Sequence, residues 1–95
     1  MELGETIRLL RKKKEMTQEM LADEAKVCIN TIRRIESGKQ FPYKYTIEQI
    51  VKALGVTISE LLLLSLDDEK TREIRESIYN KVSNDKEDSQ ILRKL

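Results

Sequence analysis

Apolar side chains recur along the first two thirds of the chain in short stripes, separated by polar or glycine-bearing breaks. Leu3, Ile7 and Leu10 fall at i, i+4 and i+7, the stripe of an amphipathic helix, which predicts a first helix over about 2–14 with Gly4 inside it. Gly costs a helix interior about 1 kcal/mol against Ala, so its presence points to a close helix approach. Met16 and Leu21 flank Thr17 in the positions of a hydrophobic staple, and Glu19 puts a carboxylate in the next turn. Thr17 is therefore the N-cap of a second helix, burying Leu21, Ala22 and Ala25. Lys26-Val27-Cys28 reads as a tight turn with Val27 inward. A third helix follows over about 29–37, with Ile32 and Ile35 buried and Asn30, Thr31, Arg33 and Arg34 outward, and Gly38 stops it. Residues 39–45 read as a loop. Thr46-Ile47-Glu48-Gln49 and Thr57-Ile58-Ser59-Glu60 both have capping-box spacing. They open a fourth helix, which buries Ile47, Ile50, Val51 and Leu54 and closes at Gly55, and a fifth that ends near Leu64. No stretch alternates with period two for long enough to be a strand.

From Asp67 the composition changes. An acidic first turn, Asp67-Asp68-Glu69, suits a helix N-terminus, and Ile74, Ile78 and Val82 then recur every four residues, predicting a sixth helix over about 67–82. Residues 83–89 are polar, and Ile91, Leu92 and Leu95 beyond them have no place assigned by local pattern. The fold class expected is thus all-α, with five helices followed by a sixth and a polar tail.

Charge refines this picture more by distribution than by total. The net charge is only +1, but residues 1–45 carry ten Lys/Arg against seven Asp/Glu, while 46–66 and 67–95 are each one charge negative. The mild basic excess accompanies the second and third helices. Arg11 to Lys14 crowd the last turn of the first helix, where the dipole favours cations; that structural reading competes with a phosphate contact by Lys13 or Lys14.

Composition excludes several classes of function. With no His and one Cys, a histidine base, an intramolecular disulfide and a Cys/His zinc cluster are ruled out. Carboxylates are plentiful but form no recognisable acid/base pair, and no glycine-rich phosphate loop is present. Neither an enzyme nor a cofactor or metal site is expected. The longest apolar run is Leu61 to Leu64, far short of the ~20 residues of a membrane span, and the N-terminus lacks a signal-peptide core. A cytoplasmic protein is expected.

Two short helices joined by a tight turn, the second with Arg33 and Arg34 outward, form the arrangement that presents a helix to a DNA major groove. The motifs Ile7-Arg8-x-Leu10-Arg11, Met16-Thr17-Gln18-x-x-Leu21-Ala22, Ile32-x-Arg34-Ile35-Glu36-Ser37-Gly38-Lys39 and Ala53-Leu54-Gly55-Val56 occur in that order, and together they resemble the Xre-type helix-turn-helix family of phage repressors and Cro proteins over about 2–64. The resemblance implies an all-α, five-helix bundle over 2–64, with a C-terminal helix and tail over 65–95 added to it, in which the third helix reads DNA. Ile29, Asn30 and Arg34 would approach base edges, and Arg33 would reach bases or phosphate. Arg suits guanine, Asn suits adenine, and Ile29 offers only apolar contact. The resemblance further implies phosphate contacts by Thr17, Gln18, Ser37 and Lys39, a helix start at Gln18 that favours an anion, and an internal salt bridge between Arg11 and Glu36. Contacts by Tyr43 and Lys44 stay open, because the loop is one residue longer than in close family members.

Two departures from the family pattern concern the turn. Lys26 stands where Gly is frequent, a strain of about 1 kcal/mol if φ is positive. Cys28 stands where a hydroxyl often caps the third helix, and a thiol caps weakly.

A single recognition helix reads few bases, so a homodimer on double-stranded DNA is expected, acting as a transcriptional regulator, with repression the expected outcome. Ile74, Ile78 and Val82 are its expected dimerisation seam. The same stripe could fold back on its own bundle or take a foreign protein. The alternative function is a protein-interaction module, such as an antitoxin or a partner-controlled regulator acting through that last helix.

Overall fold

The computed structural model describes residues 2–66 and 69–82. Five helices come first: α1 Leu3–Lys13, α2 Gln18–Ala25, α3 Ile29–Glu36, α4 Lys44–Leu54 and α5 Ile58–Ser65. A 3-10 turn, Glu69–Thr71, leads into α6, described over 72–82. No strand occurs among the described residues. The expected acidic turn at Asp67 and Asp68, and the tail 83–95 with Ile91, Leu92 and Leu95, lie outside them.

The apolar stripes converge on one core. Ile7, Leu10, Leu21, Ile32, Ile50, Leu54, Leu61 and Leu64 are all fully buried. α1 packs on α3 and α5, α2 on α3 and α4, and α4 on α5. Gly4 is where α1 meets α3: a Cβ there would land on the Ile35 carbonyl oxygen and come within 3.1 Å of the Glu36 carbonyl oxygen. A buried polar tie fastens the other side of α1, with Ser65 Oγ donating to Thr6 Oγ1 at 3.2 Å.

α2 and α5 start with side-chain caps, while α1, α3 and α4 start without one. Thr17 Oγ1 accepts the Met20 N–H at 3.0 Å, and Thr57 Oγ1 accepts the Glu60 N–H at 3.0 Å. Glu60 in return accepts the Thr57 N–H at 2.9 Å. That N–H is the chief reason its carboxyl is held below the usual glutamate range, with Lys81 adding to it and partial burial opposing. The start of α4 differs from the expected opening at Thr46. The helix opens at Lys44 instead, with Tyr43 at the N-cap and no side-chain cap. Pro42, two residues upstream of Lys44, disfavours helical backbone at the residue before it. Downstream of it nothing prevents the helix from starting early, so the Thr46 box pattern lies inside the first turn. Lys26 is left-handed at φ 58° and Glu15 at φ 57°; neither position has the glycine that tolerates this best.

α6 folds back on its own chain. Ile78 and Val82 are 6% and 2% exposed within the core cluster. Lys81 Nζ lies 3.2 Å from Glu60 Oε1 at the start of α5, and Lys13 Nζ sits 5.1 Å from the centre of the Tyr79 ring. Of the three residues expected at a dimer seam, Ile78 and Val82 are spent inside the chain's own bundle, and only Ile74 is exposed. Burying Ile78 and Val82 against the same chain removes apolar area from water without the cost of association.

Candidate DNA interface

α2 and α3 are joined by the three-residue turn 26–28 and pack directly on one another. Ile32 and Ile35 anchor α3 inward. With a 3.6-residue period, that anchoring forces Asn30, Arg33 and Arg34 outward, and all three are exposed. Arg33 Nη1 donates to Asn30 Oδ1 at 3.3 Å. The Arg34 carbonyl accepts from Ser37 Oγ at 3.1 Å, but the guanidinium has no hydrogen bond or ion pair among the described residues and is available. Ile29 differs from expectation. It is half-buried and packs against the core. It is therefore only partly presented for contact with a base.

Beside this helix face lies an open cleft of about 520 Å³, lined by Arg8, Thr17, Gln18, Arg33, Glu36 and Ser37 among others. Its floor is a buried charged network. Arg11 Nε and Nη2 donate to Glu36 Oε2 and Oε1 at 2.8 and 3.0 Å, and Arg11 Nη1 donates to the Met16 carbonyl at 2.8 Å. Arg11 and Glu36 are 8% and 9% exposed, so each relies on the other for compensation. Gln18 Nε2 donates to the same Glu36 Oε1 at 3.2 Å. The network thus locks α1 to α3 and fixes the side chain that begins α2. The first-turn N–H groups of α2 have no intrahelical acceptor, and such a helix start favours an anion. Glu19, the acid of that turn, lines a separate depression with Cys28 and Ile29.

Thr17, Gln18 and Ser37 therefore share one cleft. Lys39 is exposed just past Gly38, at φ 81°, and does not line the cleft. Lys13 and Lys14 do not reach it either. Lys13 lies over Tyr79, and Lys14 Nζ donates to the Ala53 carbonyl at 3.0 Å, in the last turn of α4. Their positions follow the structural reading of the basic run. Cys28 occupies the N-cap of α3 and makes no side-chain cap bond.

Arg8 was not singled out from the sequence, yet it lines the cleft. The signal was present. Arg8 precedes Arg11 by three residues, so the two share a face of α1, and the Arg11–Glu36 pair turns that face toward α3. Tyr43, whose contact the sequence leaves open, is 77% exposed, and Phe41 and Tyr45, to which the sequence gives no role, are 75% and 65% exposed on and after the α3–α4 loop.

A family model described as a helix-turn-helix domain matches residues 4–66. Among curated proteins, the chain is 38% identical over 84 residues to the HTH-type transcriptional activator BcrR of Enterococcus faecalis, covering 84% of this chain and 41% of that protein. It is 32% identical over 65 residues to the competence pilus inhibition repressor of Acinetobacter baylyi, covering 68% and 59%. It is 31% identical over 62 residues to the immunity repressor protein of Bacillus phage phi105, covering 65% and 43%. The chain thus spans about two fifths to three fifths of the length of these relatives. No solved structure gives a significant match. Among the described residues no helix is long and apolar enough to cross a membrane.

Proposed function

The chain belongs to the helix-turn-helix domain family, and we propose that it is an Xre-type, sequence-specific regulator of transcription that binds double-stranded DNA through α3. The observation that carries this reading is the junction of two surfaces. Arg34 stands exposed on α3 with its guanidinium unpaired among the described residues, next to a cleft whose polar groups suit a backbone phosphate. Arg34 offers a bidentate fork to guanine O6 and N7, and Asn30 an amide to adenine. Arg33 reaches either a base or the backbone. Thr17, Gln18 and Ser37 hold the phosphate in the cleft, and Lys39 meets the next stretch of backbone; such contacts set the register and carry no sequence information. Two of the three relatives are named as repressors, which favours repression, although the third is named as an activator.

The working form we infer is a cytoplasmic homodimer, since two-fold pairing on half-sites about 34 Å apart is the common way for one short helix to read enough bases. Its surface cannot be the Ile78–Val82 stripe without unpacking α6. Leu62, Leu66 and Ile74, each about half exposed at 50%, 52% and 51%, are the large apolar side chains exposed on α5, at its end and on α6 among the described residues. A second copy is the occupant we assign to them. A foreign partner gripping α6 would first have to release Ile78 and Val82.

Selection of duplexes from a random pool by the purified chain tests the proposal. An enriched inverted repeat supports a dimeric reader. Sequence-blind, micromolar binding with no enrichment counts against it. In parallel, Leu62→Lys and Ile74→Lys should lower the mass in solution and leave the melting temperature near wild type, while Ile78→Lys should lower the melting temperature.

A further inference from the structure

We propose that Arg8, on α1 and outside the helix-turn-helix itself, completes a phosphate clamp in the cleft between α1 and the start of α2. The inference rests on the DNA-binding reading above and adds to it a named contact.

Arg8 is exposed, and among the described residues nothing pairs with its guanidinium. It lines the same cleft as Thr17, Gln18, Arg33 and Ser37. Three arginines, Arg8, Arg11 and Arg33, stand there against one carboxylate, Glu36. Arg11 is consumed by Glu36 and the Met16 carbonyl, so its charge cancels that of the glutamate and its donors are committed. Gln18 is aimed by Glu36 and presents a neutral edge. The unspent charge in the cleft is therefore carried by Arg8 from α1 and Arg33 from α3, in a cleft that Thr17 and Gln18 at the start of α2 also line. Arg33 also bonds Asn30, which draws it toward the base-reading face. Arg8 is the cleft arginine with no other engagement, and its planar fork matches the two non-bridging oxygens of a phosphodiester. A backbone clamp built on α1 also explains a feature of the fold. The Arg11–Glu36 pair and the Gly4 approach hold α1 rigidly against α3, so a phosphate held by Arg8 sets the depth and tilt at which α3 enters the groove.

The test is a salt titration of duplex affinity for the full chain and for Arg8→Ala, with Arg72→Ala as a control. The control removes the same charge from α6, where Arg72 pairs with Glu69 and Glu76. Arg8→Ala is expected to weaken binding roughly tenfold, the size of one charge-assisted hydrogen bond. It should also lower the slope of log affinity against log salt by about 1 and leave base preference and melting temperature unchanged. Equal, small effects of both variants would overturn the clamp and leave the DNA-binding reading intact. A changed base preference with an unchanged salt slope would also overturn it, because Arg8 would then be reading bases. So would protection of the wild-type cleft by millimolar inorganic phosphate with duplex affinity indifferent to Arg8→Ala, since the site would then serve a small anion. Failure of the wild-type chain to bind any duplex removes the underlying reading and the clamp with it.

Discussion

Replacing Gly4 by Ala sets two local effects of opposite sign against each other. On helix propensity alone, Ala stabilises an interior position by about 1 kcal/mol, and less within the first turn. Packing predicts the reverse. The new methyl would occupy the position of the Ile35 carbonyl oxygen, with the Ile35 carbonyl carbon and the Glu36 carbonyl oxygen each 3.1 Å away. These are backbone atoms in the last turn of α3, so no rotamer change clears them. The α1 and α3 axes must separate. Overpacking of this kind costs up to about 3 kcal/mol, leaving a net loss of about 2 kcal/mol once propensity is credited. For a domain of this size that lowers the melting temperature by roughly 8–16 °C, readable by far-UV circular dichroism. Because Glu36 sits at the point of separation, duplex affinity should fall as well at temperatures where the variant is still folded. A melting temperature equal to or above wild type would refute the reasoning, since it would mean that the close approach of α1 to α3 contributes less than a single propensity increment.

Three further outcomes follow from the same contacts. Glu36→Leu strands the buried Arg11 charge and should cost about 3–5 kcal/mol in chemical denaturation; Arg11→Met with Glu36→Leu should regain much of this yet still bind DNA weakly, because Gln18 has lost its anchor, and wild-type affinity in the double variant would contradict that role. Cys28→Ser supplies the missing hydroxyl cap to α3 and should raise stability by up to about 1 kcal/mol; an unchanged or lower melting temperature counts against it. Glu60 has its carboxyl held below the ordinary value of 4.5, so its charge stabilises the fold above that pH, and the contribution is lost as pH falls through the lower, folded value. The melting temperature of Glu60→Gln should therefore trail wild type at neutral pH by an increment worth no more than about 1 kcal/mol, with the gap closing under acid; a gap that widens on acidification contradicts the sign.

Much of the bundle was legible because its helices are delimited by local chemistry. Thr17, Gly38, Gly55 and Thr57 each mark an end through a bond or a dihedral set within three residues, and the apolar stripes between them have one period. At α4 the Thr46 box pattern misled, because the helix starts two residues earlier, at Lys44, without a side-chain cap. What could not be read was long-range. The stripe of Ile74, Ile78 and Val82 states that a surface is buried, and says nothing of which chain covers it. Lys13 and Lys14 carry the same charge whether they meet a phosphate, the Tyr79 ring or the Ala53 carbonyl. Gln18 and Glu36 meet only because the turn at 26–28 brings α2 and α3 together, and Arg8 joins them only because Arg11 turns its helix face toward α3.

The central claim is that α3 reads base edges through Arg34. The direct measurement is the affinity of wild type and Arg34→Ala for the duplex enriched by selection and for single-base variants of each half-site. The account predicts that the substitution costs about 1–3 kcal/mol on the enriched duplex and relaxes preference at one position per half-site, with the salt slope nearly unchanged. Uniform weakening across all duplexes, with every base preference preserved, would contradict it, for Arg34 would then be holding the backbone and the reading of sequence would lie elsewhere on the molecule.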